Sequence, residues 1–218
     1  ENTGFVEFIA RYMEKNSVKN IHELSQFQRH NGSWFYTDSL PPKTGKSTLL
    51  HKLRLLLESN NIKYSSCIVN EILDHEENRT GFEIEYIKNS NVISKTILAD
   101  KKREEWKKMD NYYVNIDGIS EELLPWIRNV MISDDDVIII DEIGKMQNLH
   151  PEFLEVIDLL LDSGKIIIGT IVYENVEFAR KYKENEKLNL IRLTCENRNL
   201  LSEELFFNVK SIIDNRTY

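Results

Sequence analysis

One stretch of this chain constrains its fold more than any other, a run of four β-branched residues followed by two acids. Residues 137–142 are Val-Ile-Ile-Ile-Asp-Glu. A continuous apolar run of this kind is typical of a strand that is covered on both faces, as in a parallel sheet. Such a sheet needs helices on its two sides. We therefore expect an α/β fold with the two acids at the carboxyl end of a buried strand.

The rest of the chain alternates between strand and helix patterns. Helices are predicted from residue 45 to about 60, near 120, and over 151–163, 176–182 and 199–214. Strands are predicted over 63–69, 82–87, 92–98, 112–116, 165–172 and 188–193. Asn89-Ser90-Asn91 predicts the turn of an inserted β-hairpin. The alternation predicts a mostly parallel sheet with helices on both faces.

The first 31 residues are predicted to form a helical extension to a domain that spans residues 32–218. Apolar side chains recur there at three- and four-residue spacing, as at Phe5, Phe8, Ile9 and Met13. Asn31-Gly32 indicates a turn, and the aromatic stretch 33–37 favours a strand. The predicted N-terminal helices are a candidate contact surface for a protein partner.

Charge and hydropathy limit the classes of partner. Lys and Arg total 28 against 36 for Asp and Glu, which gives a net charge of −8. Nucleic acid is therefore not expected as the main partner, although a local basic patch is compatible with this balance. No apolar run approaches the roughly 20 residues that span a bilayer, so no membrane partner is expected. We see no secretory signal, and Cys67 and Cys195 are expected as buried reduced thiols, so a cytoplasmic location is expected.

A candidate phosphate site lies where the predicted strand 33–37 gives way to a helix. Gly-Lys-Ser at this position matches the end of the P-loop pattern G-x-x-x-x-G-K-[ST], in which the lysine reaches phosphates and the hydroxyl binds Mg²⁺. The candidate nucleotide-binding residues are Pro42, Lys43, Thr44, Gly45, Lys46, Ser47 and Thr48. The first glycine of the pattern is replaced by Leu40. Taken alone, the tripeptide is more typical of a helix start with a solvated lysine.

The two acids after the apolar strand complete the constellation. An aspartate at such a strand end holds Mg²⁺ in P-loop enzymes, which is the role expected for Asp141. The carboxylate that follows, Glu142, is placed to orient or deprotonate water. The alternative is an acidic pair on a surface. The occurrence of both motifs, each in its strand context, favours a nucleotide site.

The stretch around these acids also resembles a known family. Residues 138–147 are IIIDEIGKMQ, and Phe153 follows shortly afterwards. Further landmarks agree in order, namely Asn70-Glu71, Arg79-Thr80-Gly81-Phe82, Leu98-Ala99, Tyr112-Tyr113-Val114, Thr170 and Glu196-Asn197-Arg198. The chain resembles the small P-loop nucleoside triphosphatases, which include the thermophile NTPases and the vertebrate cancer-related nucleoside triphosphatase. The resemblance spans residues 33–214.

The resemblance implies a RecA-like core and Mg²⁺-dependent hydrolysis of a nucleoside triphosphate, ATP or GTP, to diphosphate and phosphate. It implies Lys46 and Glu142 as catalytic residues and Ser47 and Asp141 as Mg²⁺ ligands. By the same resemblance Asn197-Arg198 would lie near the base or the phosphates; the alternative is a helix-start turn with a surface arginine.

Two departures and two rival functions accompany this prediction. Lys43 and Leu40 stand where the family carries glycines, so the loop either takes another geometry or binds more weakly. Arg79 either supplies positive charge to the γ-phosphate or is a solvated hairpin arginine. A nucleotide or polynucleotide kinase would use the same phosphate site. A P-loop that only binds or scaffolds, without turnover, is the non-enzymatic alternative.

Overall fold

The structure is a computed structural model of the chain. It describes residues 45–172, 176–194, 197 and 200–216 in full, and residues 3–14, 17–30 and 33–40 by their strand pairing. None of the helices among the described residues is long and apolar enough to cross a membrane.

The N-terminal segment is a three-stranded antiparallel sheet. Its strands are β1 (Thr3–Glu14), β2 (Ser17–His30) and β3 (Ser33–Leu40), in the order β1-β2-β3. The helices predicted within residues 1–31 are therefore wrong, whereas the strand over 33–37 is confirmed. Aromatic and β-branched residues such as Phe5, Val6 and Tyr12 favour strands, and the three- and four-residue spacing of the apolar positions hid that preference. The boundary at residue 32 stays a prediction.

The main sheet has seven strands. They are β4 (Tyr64–Leu73), β5 (Arg79–Lys88), β6 (Asn91–Asp100), β7 (Lys107–Met109), β8 (Tyr112–Val114), β9 (Val137–Ile143) and β10 (Ile166–Ile171). Their order across the sheet is β10-β9-β4-β5-β6-β8-β7.

The main sheet is mixed, which corrects the prediction of a mostly parallel one. β9 pairs in parallel with both β10 and β4, while β4–β5, β5–β6, β6–β8 and β8–β7 are antiparallel. Within residues 64–114 the strands follow one another without an intervening helix, so a parallel crossover has no element to form it. The predicted hairpin turn is confirmed, with φ of 44° at Asn89 and 66° at Ser90.

Helices cover both faces of the main sheet, as predicted. They are α1 (Lys46–Ser59), α2 (Ile116–Gly118) leading through a π-helical turn into α3 (Leu124–Met131), α4 (Phe153–Leu161), α5 (Glu177–Lys183) and α6 (Leu201–Arg216). Ile138 and Ile140 pack with α3 and α4, whereas Val137 and Ile139 pack with α1 and α6. The apolar run is thus buried on both faces because successive side chains of a strand point in opposite directions.

The strand predicted over 188–193 is absent, since residues 188–194 form neither helix nor strand. Asn197 explains the difference. Its side-chain amide donates to the carbonyl of Arg192 at 2.8 Å, and its side-chain oxygen accepts from the backbone N–H of Thr194 at 2.8 Å. These backbone groups are used in a turn ahead of α6 and not in a strand ladder.

Candidate active site

The main sheet opens at Asp141. β4 pairs with β9 as far as Ile68 opposite Asp141. β9 continues to Ile143, which is paired with Ile171 of β10. A crevice at the carboxyl ends of parallel strands is the usual ligand site in open α/β sheets, so the acids stand where a ligand is expected.

Asp141 is buried and held by the neighbouring strand. The Thr170 hydroxyl donates to Asp141 Oδ1 at 2.5 Å, and Asp141 is 6% exposed. Burial raises the pKa of the Asp141 carboxyl, because desolvation disfavours its charge. The hydrogen bond from Thr170 and the positive charges of Lys46 and Arg54 act in the opposite direction without cancelling the rise.

Glu142 is paired with the candidate phosphate-binding lysine. Lys46 Nζ lies 2.8 Å from Glu142 Oε2, and the two side chains remain 42% and 30% exposed. Lys46 is the first residue of α1, and Gly45 before it has φ of 87°, a left-handed conformation that favours glycine. The structure thus brings together the two predicted catalytic side chains, which are 96 residues apart in the chain.

Gly144 leaves the space in which Glu142 lies. A Cβ atom at Gly144 would stand 2.6 Å from Gln147 Oε1 and 3.1 Å from Glu142 Oε1. Gln147 is 4% exposed, although it is polar. The glycine therefore allows the two polar side chains to pack beside the strand end.

The remaining predicted P-loop residues divide into two groups. Ser47 and Thr48 lie in the exposed first turn of α1. Ser47 makes no hydrogen bond with Asp141, whose side chain accepts from Thr170. Pro42, Lys43 and Thr44 lie outside the described residues, as does Arg198.

Two further predicted residues are hydrogen-bonded to partners other than the acids. Asn197 bonds to the backbone near it and caps the turn before α6, which agrees with the helix-start alternative. Arg79 donates to the Tyr112 hydroxyl and to Glu71, each at 2.8 Å. Among the described residues, neither Asn197 nor Arg79 is hydrogen-bonded to Lys46 or Glu142.

Two site residues had no role in the sequence analysis. Thr170 was noted only as a family landmark, and Gln147 only as the end of a matching stretch. Thr170 could have been found from its position at the end of the strand that follows β9, since carboxyl ends of adjacent parallel strands meet at one edge. Nothing in the sequence marks Gln147 as buried.

The donor set suits a magnesium ion that is shared with phosphates. Among the residues that the structure describes, no group of three or more His, Cys, Asp or Glu side chains could hold a metal by itself. Mg²⁺ is usually bound by one or two carboxylates together with substrate phosphates and waters. Asp141, Glu142 and the exposed hydroxyl of Ser47 offer that chemistry.

Comparison with known proteins bears on two parts of the chain. A family model described as NTPase matches residues 39–206. A second family model, described as YchJ, middle NTF2-like domain, matches residues 1–39. The two matches meet at the end of the three-stranded N-terminal sheet.

Relatives and solved structures agree with the first match. Nucleoside-triphosphatase THEP1 of Thermotoga maritima is 31% identical over 170 residues, which cover 78% of this chain and 91% of that protein. The crystal structure of THEP1 from the hyperthermophile Aquifex aeolicus superposes with a TM-score of 0.62 at 26% identity, covering 77% of this chain and 94% of that chain. The solution structure of a human cancer-related nucleoside triphosphatase gives a TM-score of 0.63 at 26% identity, covering 78% and 94%.

Proposed function

The chain belongs to the NTPase family, and from that membership we propose that it hydrolyses nucleoside triphosphates to the diphosphate and phosphate with the help of a bound Mg²⁺ ion. The observation that carries the proposal is the ion pair between Lys46 and Glu142 beside the buried Asp141. In the proposal Lys46 is the phosphate-binding cation, Glu142 the base and Asp141 the metal-binding carboxylate. We further propose that the fold is RecA-like and that ATP and GTP are both substrates.

The proposed reaction needs one cation and one base from the chain. Water attacks the γ-phosphorus as Glu142 takes its proton, and the bond from the γ-phosphorus to the β–γ bridging oxygen breaks. Lys46 neutralises the charge that develops on the phosphate oxygens. Its ammonium must therefore shift from Glu142 Oε2 towards the phosphates, which leaves the carboxylate free to accept the proton.

The metal would be held by Asp141 and Ser47. Bound there, Mg²⁺ would neutralise charge on the β- and γ-phosphates. Thr170 keeps one oxygen of Asp141 engaged, so the carboxylate is oriented before any ligand arrives. The cytoplasm is the proposed location, with the buried free thiol of Cys67 as its support.

The decisive experiment is phosphate release from ATP and from GTP in the presence of Mg²⁺. We expect Lys46→Ala and Glu142→Gln each to lower kcat by about 10²–10³-fold. Lys52→Ala is the matched control, because Lys52 is an exposed lysine on the same helix, and it should keep full activity.

Three results would contradict the proposal. Unchanged hydrolysis in both site variants would show that these side chains do not catalyse it. Transfer of phosphate to an added nucleotide or polynucleotide acceptor would favour the kinase. Binding of a non-hydrolysable analogue without any phosphate release from ATP would favour a module without turnover.

A further inference from the structure

The proposed hydrolysis makes no use of a cluster of cations and aromatic rings on the antiparallel side of the main sheet. It lies on the connection from β6 to β7 and on β7 itself. We call it the basic–aromatic surface, and it consists of Lys101, Lys102, Arg103, Trp106, Lys107 and Lys108. Four carboxylates, Asp100, Glu104, Glu105 and Asp110, lie in the same stretch, so residues 100–110 carry five cations against four acids. The local net charge is therefore +1 in a chain whose net charge is −8.

The lysines of this surface are available to an external anion. All four are exposed, and among the described residues no carboxylate lies within ion-pair distance of them, whereas Arg103 pairs with Glu105 at 3.5 Å. The neighbouring strand offers a contrast, because Lys95 of β6 pairs with both Glu83 and Glu85. These lysines can bind phosphate without breaking an ion pair, although Lys101 Nζ also lies 5.5 Å from the centre of the Tyr112 ring.

Aromatic rings lie beside these cations. The Arg103 guanidinium is 5.5 Å from the centre of the Trp106 ring, and Lys108 Nζ is 6.0 Å from the centre of the Tyr113 ring. Trp106 and Tyr113 are both half-buried, so part of each ring is accessible. Rings interleaved with cations are the arrangement by which proteins hold unpaired bases and their phosphates.

The surface lies at the same edge of the sheet as the candidate active site. Asp100, at the end of β6, is paired with Gly81, which is paired in turn with Ile72 of β4. Ile72 is four residues beyond Ile68, the partner of Asp141. The surface thus begins about 13 Å further along the strands and about 14 Å to the side, at ordinary strand spacings.

We propose that the basic–aromatic surface binds single-stranded nucleic acid, with phosphates against the lysines and bases stacked on Trp106 and Tyr113. Stacking on a side chain requires a base whose face is free, and a duplex covers both faces of each internal base. A polyanion without bases would need only the lysines. The rings therefore select an unpaired strand.

The test is the fluorescence anisotropy of a labelled 20-nucleotide single strand, titrated with the full chain in the absence of nucleoside triphosphate. The triple variant Lys102→Gln, Lys107→Gln and Lys108→Gln should bind at least about 10-fold more weakly. Its plot of log K against log salt should be shallower by about 2, since each phosphate contact on a single strand contributes about 0.7.

The matched control removes three exposed cations elsewhere. Arg180→Gln, Lys187→Gln and Lys210→Gln change the net charge equally, on α5, after it and on α6. This variant should bind within about 2-fold of the parent. Equal weakening in the two triple variants would mean that binding follows net charge, and it would overturn the proposal.

The aromatic part is tested separately with Trp106→Ala, which should weaken binding by about 5-fold or more. Base-free polyphosphate and a duplex of equal length should compete poorly with the single strand. Unchanged binding in Trp106→Ala together with full competition by polyphosphate would overturn the proposal. Since no nucleoside triphosphate is present, these outcomes do not depend on whether the chain hydrolyses one.

Discussion

The two halves of the main sheet differ in how far their strands are buried. In the parallel half, β9 has apolar side chains on both faces, and its two acids lie within its last three residues. In the antiparallel half, the first seven residues of β6 are mostly exposed and only Leu98 and Ala99 are buried. The parallel half thus holds a few polar groups beside a strand that is buried on both faces, whereas the antiparallel half leaves most of β6 in contact with solvent, including apolar residues such as Ile93.

The largest expected effect compares one isoleucine in each half. Ile139 of β9 is fully buried and Ile93 of β6 is 60% exposed. Ile139→Ala should lower the free energy of unfolding by about 2–5 kcal/mol, because it removes a core side chain and leaves a cavity. Ile93→Ala should cost less than about 1 kcal/mol. Urea denaturation measures both free energies of unfolding. Equal losses would contradict the expectation that the buried strand contributes more to stability than the exposed one.

A substitution at Gly144 tests how closely the side chains of Glu142 and Gln147 are packed against it. Gly144→Ala would place a methyl group 2.6 Å from Gln147 Oε1. We expect a loss of about 1–3 kcal/mol in the free energy of unfolding. Phosphate release should fall by about 10-fold or more as Glu142 is displaced.

The matched control is Gly169→Ala on β10, where the nearest atom to a new Cβ is Ile140 O at 3.6 Å. This variant should stay within about 0.5 kcal/mol of the parent. If the alanine at 144 is tolerated as well as the one at 169, Glu142 and Gln147 have room to adjust.

Removal of one hydroxyl tests whether the buried aspartate depends on its neighbouring strand. Thr170→Val deletes the donor to Asp141 Oδ1 and leaves a buried carboxylate oxygen without that bond. The expected loss is about 1–3 kcal/mol in the free energy of unfolding. Thr170→Ser should restore most of it because it keeps the hydroxyl, and thermal denaturation of both variants measures the difference. A serine variant as unstable as the valine variant would point to the methyl group.

The smallest effect at neutral pH concerns Cys67 of β4. Burial raises the pKa of this thiol from 9.0 to about 12, with a further contribution from the charge of Asp141. In a Cys195→Ser background, the folded protein should therefore not react with a thiol reagent at pH 8 and should react once unfolded.

The same shift fixes the sign of a pH dependence. Above pH 9 the unfolded thiol loses its proton first, so stability should fall by up to about 1.4 kcal/mol per pH unit until about pH 12. Further replacement by Cys67→Ala should remove this part of the slope in denaturation experiments. An identical slope with and without Cys67 would show that other groups cause the decline.

Local patterns were enough to predict the buried strand, the hairpin turn and the closing helix. Residues 137–140 include no polar side chain that could face water, so they favour a strand covered on both faces, as in an α/β fold. The N-terminal strands were missed because their pairing joins residues that are distant in the sequence, such as Phe5 and Gln26. The spacing of apolar residues within one segment does not indicate which segment pairs with it. The strand predicted over 188–193 does not form, because the side chain of Asn197 hydrogen-bonds to backbone groups of Arg192 and Thr194.

The sequence likewise predicted only some of the residues and contacts of the candidate active site. Lys46 and Glu142 follow from motifs that each lie within one short segment, whereas the ion pair between them was not predicted. Thr170 binds Asp141 because β10 lies beside β9 in a particular register, which depends on the assembled sheet. The roles of Asp141, Ser47 and Mg²⁺ stay predictions that the phosphate-release experiments address.

The ion pair between Lys46 and Glu142 has a consequence for when the site becomes reactive. While the lysine rests on the carboxylate, it occupies Oε2, one of the two oxygens that could accept a proton from water. A triphosphate that draws the lysine away removes this restraint as it binds. In such a site the substrate itself would switch on the base, so that water is activated only when there is a phosphate for it to attack.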